Sequence, residues 1–172
     1  MIGIFVNLFR HLPADSPPRL RLLVKFVEKD YAKISTLLQI RDGFITKLAR
    51  IDVELASEPV DPDETPEQRR QRWYLKKVEG GGFVLQLCAI LMAWLAVEDK
   101  GMKEFIDEKV GLEEIRETIK EQLSSVEEPE GEEDGEDAAA ERDNAREEKE
   151  IMEVLIDLLG GDTGEKTENG ED

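Results

Sequence analysis

The sequence predicts an all-α chain, a piece of a helical repeat or solenoid, and three observations carry that expectation. No stretch shows the sustained apolar–polar alternation of a half-buried strand, whereas apolar residues recur at three- and four-residue spacing through most of the first 123 positions. One segment, FVLQLCAILMAWLAV at 83–97, is apolar on every side save Gln86, and a helix of that kind must be surrounded by protein or by lipid. Its fifteen residues, at about 1.5 Å each, reach roughly 22 Å, short of a hydrocarbon core of about 30 Å. Protein is therefore the expected surrounding. Finally, the helices so marked are unequal in length and follow one another through short connections, which suits a stacked array better than a symmetric bundle.

Taken in order, Ile2, Phe5, Val6 and Phe9 recur at i, i+3, i+4 and i+7 and mark an amphipathic helix that Pro13 ends. Ser16 before Pro17 is an N-cap followed by a first-turn proline, and Leu20, Leu23, Val24 and Val27 continue at helical spacing. This second helix is expected to end near Lys29. Asp30 can cap a longer one carrying Tyr31, Ile34, Leu38, Ile45, Leu48 and Leu55, which Gly43 weakens without ending. Residues 56–64, ASEPVDPDE, read as a loop because Pro59 and Pro62 block regular structure. Thr65, Pro66 and Gln68 then form a capping box with proline at the first helical position.

The helix begun there carries Arg69, Arg70, Arg72, Lys76 and Lys77 interleaved with Trp73, Tyr74, Leu75 and Val78, and Gly80 to Gly82 break or kink it before the apolar segment. Met102, Phe105, Ile106 and Val110, a break at Gly111, then Leu112, Ile115, Ile119 and Leu123 predict two short helices. The run from Glu127 to Asp137 is acidic and glycine-containing and cannot bury enough apolar surface to fold. Beyond it, Ile151, Val154, Leu155, Leu158 and Leu159 mark a last amphipathic helix stopped by Gly160 and Gly161, which either docks back or awaits a partner. The expected layout is a helical domain at 1–123, an acidic disordered linker at 124–140, an amphipathic helix at 141–160 and a disordered tail at 161–172. The expected core of the domain comprises Trp73, Phe83, Leu87, Leu91 and Trp94.

Of the net charge of −18, the last segment holds nearly all: residues 124–172 carry 4 Lys and Arg against 20 Asp and Glu, while residues 1–77 carry 14 against 11. Broad attraction to a phosphate backbone is thus unexpected, and a basic partner fits the tail better. The single cysteine, Cys88, excludes an internal disulfide and suits a small buried hydrophobe in a reducing compartment. The opening MIGIFVNLFRHL has neither a charged leader nor a small-residue cleavage site, so an intracellular, soluble chain is expected, with no membrane partner.

Chemistry is sparse. The glycines at 80–82 follow a helix rather than a strand, so close packing or a hinge fits them better than a phosphate cradle. Asp61, Asp63 and Glu67 fail as a calcium loop because Pro66 stands where a glycine is needed. One histidine, His11, and one distant cysteine supply neither a zinc set nor a nucleophile with its base. No catalytic residue, cofactor or metal is expected. The basic helix, Arg69, Arg70, Arg72, Lys76 and Lys77, is the candidate partner-binding element, and an RNA-binding module using it is the alternative reading. A helix with one packed and one solvated face explains the same pattern.

RLRLLVKFVEKDYAKISTLLQI at 19–40 and WYLKKVEGGGFVLQLCAILMAWL at 73–95 together resemble the C-terminal region of the beta-catenin-like protein 1 family. The second block joins an aromatic pair, a basic pair, a glycine-bearing break and FVLQ opening an apolar helix. The resemblance extends through Leu123 and resumes at AREEKEIMEVLIDLL, 145–159, which resembles that family's terminal helix across a longer acidic insert. It implies an armadillo-type (armadillo/HEAT-like) repeat fold and a nuclear, noncatalytic scaffold associated with the spliceosome through the Prp19-associated complex, binding basic, localisation-like peptides. It also implies a solenoid end fragment covering the last third of longer relatives, without their localisation signal. Ile2, Phe5 and Phe9 are then expected on an uncovered end face, with self-association or marginal stability as the consequence.

Overall fold

The structure is a computed structural model that describes residues 1–59, 64–125 and 136–160, the side chains of 125 and 136–142 excepted. Expectations placed on 60–63, 126–135 and 161–172, including most of the acidic linker and the tail, lie outside the described residues. Among the described residues there are seven α-helices and no strand: α1 (Ile2–His11), α2 (Pro17–Ser57), α3 (Pro66–Gly80), α4 (Gly82–Glu98), α5 (Lys100–Lys109), α6 (Leu112–Ser125) and α7 (Glu136–Gly160). Helix α7 starts five residues before the 141 expected from sequence. The chain forms two compact units, Met1–Leu91 and Met92–Asp172, which divide within α4.

In the first unit, α1 packs its Phe5 and Phe9 against Phe26 of α2, with ring centroids 5.4 and 6.3 Å apart. Phe9 is fully buried, which corrects the expectation of an uncovered Phe9; Ile2 and Phe5 are half-buried. The uncovered apolar side chains of α1 are instead Ile4, 63 % exposed, and Leu8. The Ser16 cap forms, its Oγ accepting from Arg19 N at 3.4 Å. Arg19 itself is buried, and its Nη1 donates to the carbonyls of Phe9 and Leu12 at 2.6 Å each, with the guanidinium over the Phe9 ring. A cation thereby meets the last-turn carbonyls that α1 leaves without intrahelical partners.

Helix α2 is broken where the sequence places a boundary, but Asp30 does not cap the second arm. Lys29, Asp30 and Tyr31 all hold left-handed backbone, with φ of 57°, 52° and 59°. Beyond the break the inward face runs Ile34, Leu37, Arg41, Phe44, Leu48, Ile51 and Leu55, alternating steps of three and four. Ile45, expected to face inward, is exposed, because it lies one residue off that seam.

Helix α3 folds back along this arm. The capping box forms, Thr65 Oγ1 accepting from Gln68 N and Gln68 Oε1 accepting from Thr65 N. At the other end, a Cβ added to Gly80 would lie 2.3 Å from Ile51 Cδ1, and one added to Gly81 would lie 2.2 Å from the Phe44 ring. Gly81 also has φ +111° and turns the chain by 64° into α4. The glycines therefore serve both close packing and the bend.

Helix α4 is buried from Cys88 to Ala96 with Trp94 half-buried. Its first turn is not: Phe83, expected in the core, is 53 % exposed, because it follows directly on the bend and its face is left to solvent. Leu91 is fully buried, while Trp73 and Leu87 are half-buried, Leu87 lying against Gly3 of α1. No single described helix is long and apolar enough to cross a membrane; α3 and α4 reach that length only together, across their 64° bend.

In the second unit, Asp99 caps α5 by accepting from Met102 N at 2.8 Å, and Gly111, at φ +86°, opens the turn into α6, where Asp107 accepts from Leu112 N. Helix α7 docks on α6, burying Met152, Leu155, Ile156 and Leu159 on one side and Ile115 and Ile119 on the other. Gly160 lies against the Arg116 guanidinium, so the end of α7 meets the first half of α6 and the two run antiparallel. Val154 and Leu158, expected in the apolar set of this helix, stay half exposed because they fall on its outer side.

Candidate functional site

The basic helix was the candidate site, and the structure distributes its five cations unevenly. Arg72 reaches Glu64 with Nε at 2.8 Å and Nη2 at 3.1 Å, a two-pronged contact, and its Nη1 donates to Glu58. Lys76 donates to the other oxygen of Glu58, and Lys77 pairs with Asp52 at 2.7 Å. Arg69 lies 5.1 Å over the Trp73 ring, a cation–π contact. Only Arg70 among the five is fully exposed without a printed role in this lattice of pairs.

Local sequence explains the placement. Glu58 is the C-cap residue of α2 and Glu64 stands just before the Thr65 cap, so both carboxylates sit at the hairpin turn. Arg72 and Lys76 are one helical turn apart on the α3 face that lies over α2 and can share one acceptor. The arrangement holds Glu58 in its charged form: hydrogen bonds from Arg72 and then Lys76 lower its pKa from 4.5 to about 2. Arg72 is pushed up in turn, chiefly by Glu64.

The chemistry of this cluster is that of a clasp between α2 and α3. With Arg72, Lys76 and Lys77 held by carboxylates on the same unit, a phosphate backbone would have to displace those partners before gaining the cations. This geometry weighs against the RNA-binding alternative. The acidic partners were not legible as such, since Glu58 and Glu64 lie 14 and 8 residues from Arg72; their position flanking a proline loop was the one available hint.

Elsewhere, the Cys88 thiol is buried, and burial pushes its pKa up to about 11. His11 is exposed at the end of α1. Among the described residues, no three His, Cys, Asp or Glu side chains gather into a set that could hold a metal ion. What the first unit does present is apolar side chains on helix faces: Ile4 and Leu8 on α1, Leu20 and Val24 on α2, Tyr74 and Leu75 on α3.

Two comparisons with known proteins bear on these helices. The profile of the family described as "Catenin-beta-like, Arm-motif containing nuclear" matches residues 1–124, which takes in α1 to α5 and nearly all of α6. The Beta-catenin-like protein 1 homolog of Schizosaccharomyces pombe is 31 % identical over 134 residues, covering 75 % of this chain and 23 % of the relative. The chain thus spans about a quarter of the length of the curated relative it matches. No solved structure matches. The helical succession, the broken α2 and the apolar α4 are accordingly armadillo-like, and the chain belongs to the catenin-beta-like, Arm-motif-containing nuclear family.

Proposed function

We propose that this chain is a noncatalytic interaction segment of a nuclear splicing factor, acting by offering helical faces to other proteins of the Prp19-associated complex. The observation that carries the reading is the family match over residues 1–124, joined to a surface on which apolar side chains lie open while most cations of the basic helix are engaged internally. Such a surface favours protein over nucleic acid, because exposed Ile4, Val24 and Leu75 gain from burial against another apolar face. Basic, localisation-like peptides are the second class of partner in this reading, and the acidity of the second half suits them. Nuclear residence follows from the same family description.

The test is affinity capture of the tagged chain from nuclear extract, with mass spectrometry of what is retained. Splicing proteins should be enriched over a tag control. An Ile4→Glu, Val24→Glu double variant, altered only at exposed positions, should lose them while keeping its helical circular dichroism. Capture that returns no splicing component from wild type defeats the assignment.

A further inference from the structure

The second unit contains a cleft of about 440 Å3 lined by Ala96 and Val97 at the end of α4, Lys100 and Lys103 at the start of α5, and Leu158 and Leu159 at the end of α7. That volume lies in the range of sites that enclose a small ligand or the anchoring side chains of a peptide. We propose that it receives an acidic peptide segment of a partner protein, inserting one bulky aliphatic side chain between α4 and α7 and setting carboxylates one helical turn away against Lys100 and Lys103.

The lining fixes the chemistry. Ala96 and Leu159 form a buried apolar floor, and Leu158 remains 50 % exposed at the rim, so an aliphatic side chain entering there removes apolar surface from water on both partners. The two lysines stand at i and i+3 in the first turn of α5, where cations oppose the helix dipole, and no acidic residue shares that turn. Their charge partly offsets the terminal carbonyls of α7, whose last turn has no basic residue. Lys100 is nonetheless nearly fully solvated and paired only loosely, 3.8 Å from Glu104, so it can take a carboxylate at little cost.

Sign and surroundings then separate acidic peptide from polyanion. Residues 78–172 carry 9 Lys and Arg against 30 Asp and Glu, and this field repels a nucleic acid that has no apolar side chain to compensate. A segment whose affinity begins with an aliphatic anchor overcomes that repulsion, and the lysine pair then selects acidic over basic flanks. The inference concerns the second unit and stands independently of the splicing assignment.

The experiment uses the full chain and three fluorescein-labelled synthetic peptides of equal length, one of Leu and Glu, one of Leu and Lys, and one of Glu alone, followed by anisotropy. The Leu/Glu peptide should bind saturably and at least tenfold more tightly than both controls. A Lys100→Glu, Lys103→Glu variant should weaken that binding tenfold or more, and Leu158→Ser about threefold. Lys100→Glu alone changes only a solvated side chain and keeps the comparison valid if a double change disturbs the unit. Absence of binding by wild type, equal binding of the Leu/Lys or Glu-only peptide, or unchanged binding by the lysine variants would overturn the proposal. So would sedimentation showing a cleft already filled by a second copy, released by Leu158→Ser.

Discussion

Arg19 is a charged residue in a place where few charges are found, and its surroundings account for it. The guanidinium is buried but faces two carbonyls at the end of α1, groups that would otherwise be left without partners inside the protein. Substituting Arg19→Met keeps much of the aliphatic volume and removes both donors. We expect a loss of about 2–4 kcal/mol in urea unfolding, most of it from desolvated carbonyls. A change below about 1 kcal/mol would mean that water reaches them. The sequence displayed Arg19 only as one more polar residue between Pro18 and Leu20, because a side chain that reaches back ten residues to another helix leaves no periodic trace. Phe83 misleads for a related reason: its apolar neighbours promise burial, and only the geometry after Gly81 reveals the open side.

At the scale of elements, local chemistry was well written in the chain. Ser16 with Pro17, Thr65 with Gln68, and Gly111 all start or stop helices where their types predict, since caps and turns depend on neighbours within four residues. The break in α2 was placed near Lys29, but its left-handed conformation was not legible, because none of the three residues is a glycine. Each left-handed residue costs about 1–2 kcal/mol against the right-handed alternative. Asp30 is exposed, so Asp30→Gly should stabilise the first unit by about 0.5–1 kcal/mol, after the larger chain entropy of glycine is set against the relief. Denaturant midpoints of wild type and variant, with unchanged slope, test this.

The α2–α3 clasp has a pH signature. The folded pKa of Glu58 lies below its unfolded value of 4.5, at about 2, owing to Arg72 and then Lys76. Its contribution is therefore complete above pH 4.5, and it is lost as pH falls from there toward 2. Trp73 emission in a Trp94→Phe background should report loosening of α3 across that window, and Glu58→Gln should flatten the change. The pairing itself could not be read in advance, since ion pairs across a hairpin depend on the register that packing sets.

For the whole molecule, the all-α class and its armadillo-like character were legible, because period and apolar content survive any arrangement of the helices. How the last helix is used was open in the sequence, and α7 docks on α6. Leu155 lies fully inside that contact. Leu155→Ala should destabilise the second unit by about 2–4 kcal/mol, counting both the lost transfer energy and the void, as measured by thermal unfolding with hydrogen exchange in α6 as the local readout. Equal exchange in wild type and variant would mean that α6 does not depend on α7.

Cys88 gives the molecule a chemical clock. It is the chain's single cysteine, enclosed and held as the neutral thiol well above physiological pH, whereas only a thiolate reacts readily with iodoacetamide. Alkylation therefore waits for moments when the middle of α4 opens to solvent, and the labelling rate counts those moments. Partners that cover the neighbouring helices should slow the reaction, and Arg19→Met should hasten it, without any probe having to be built in.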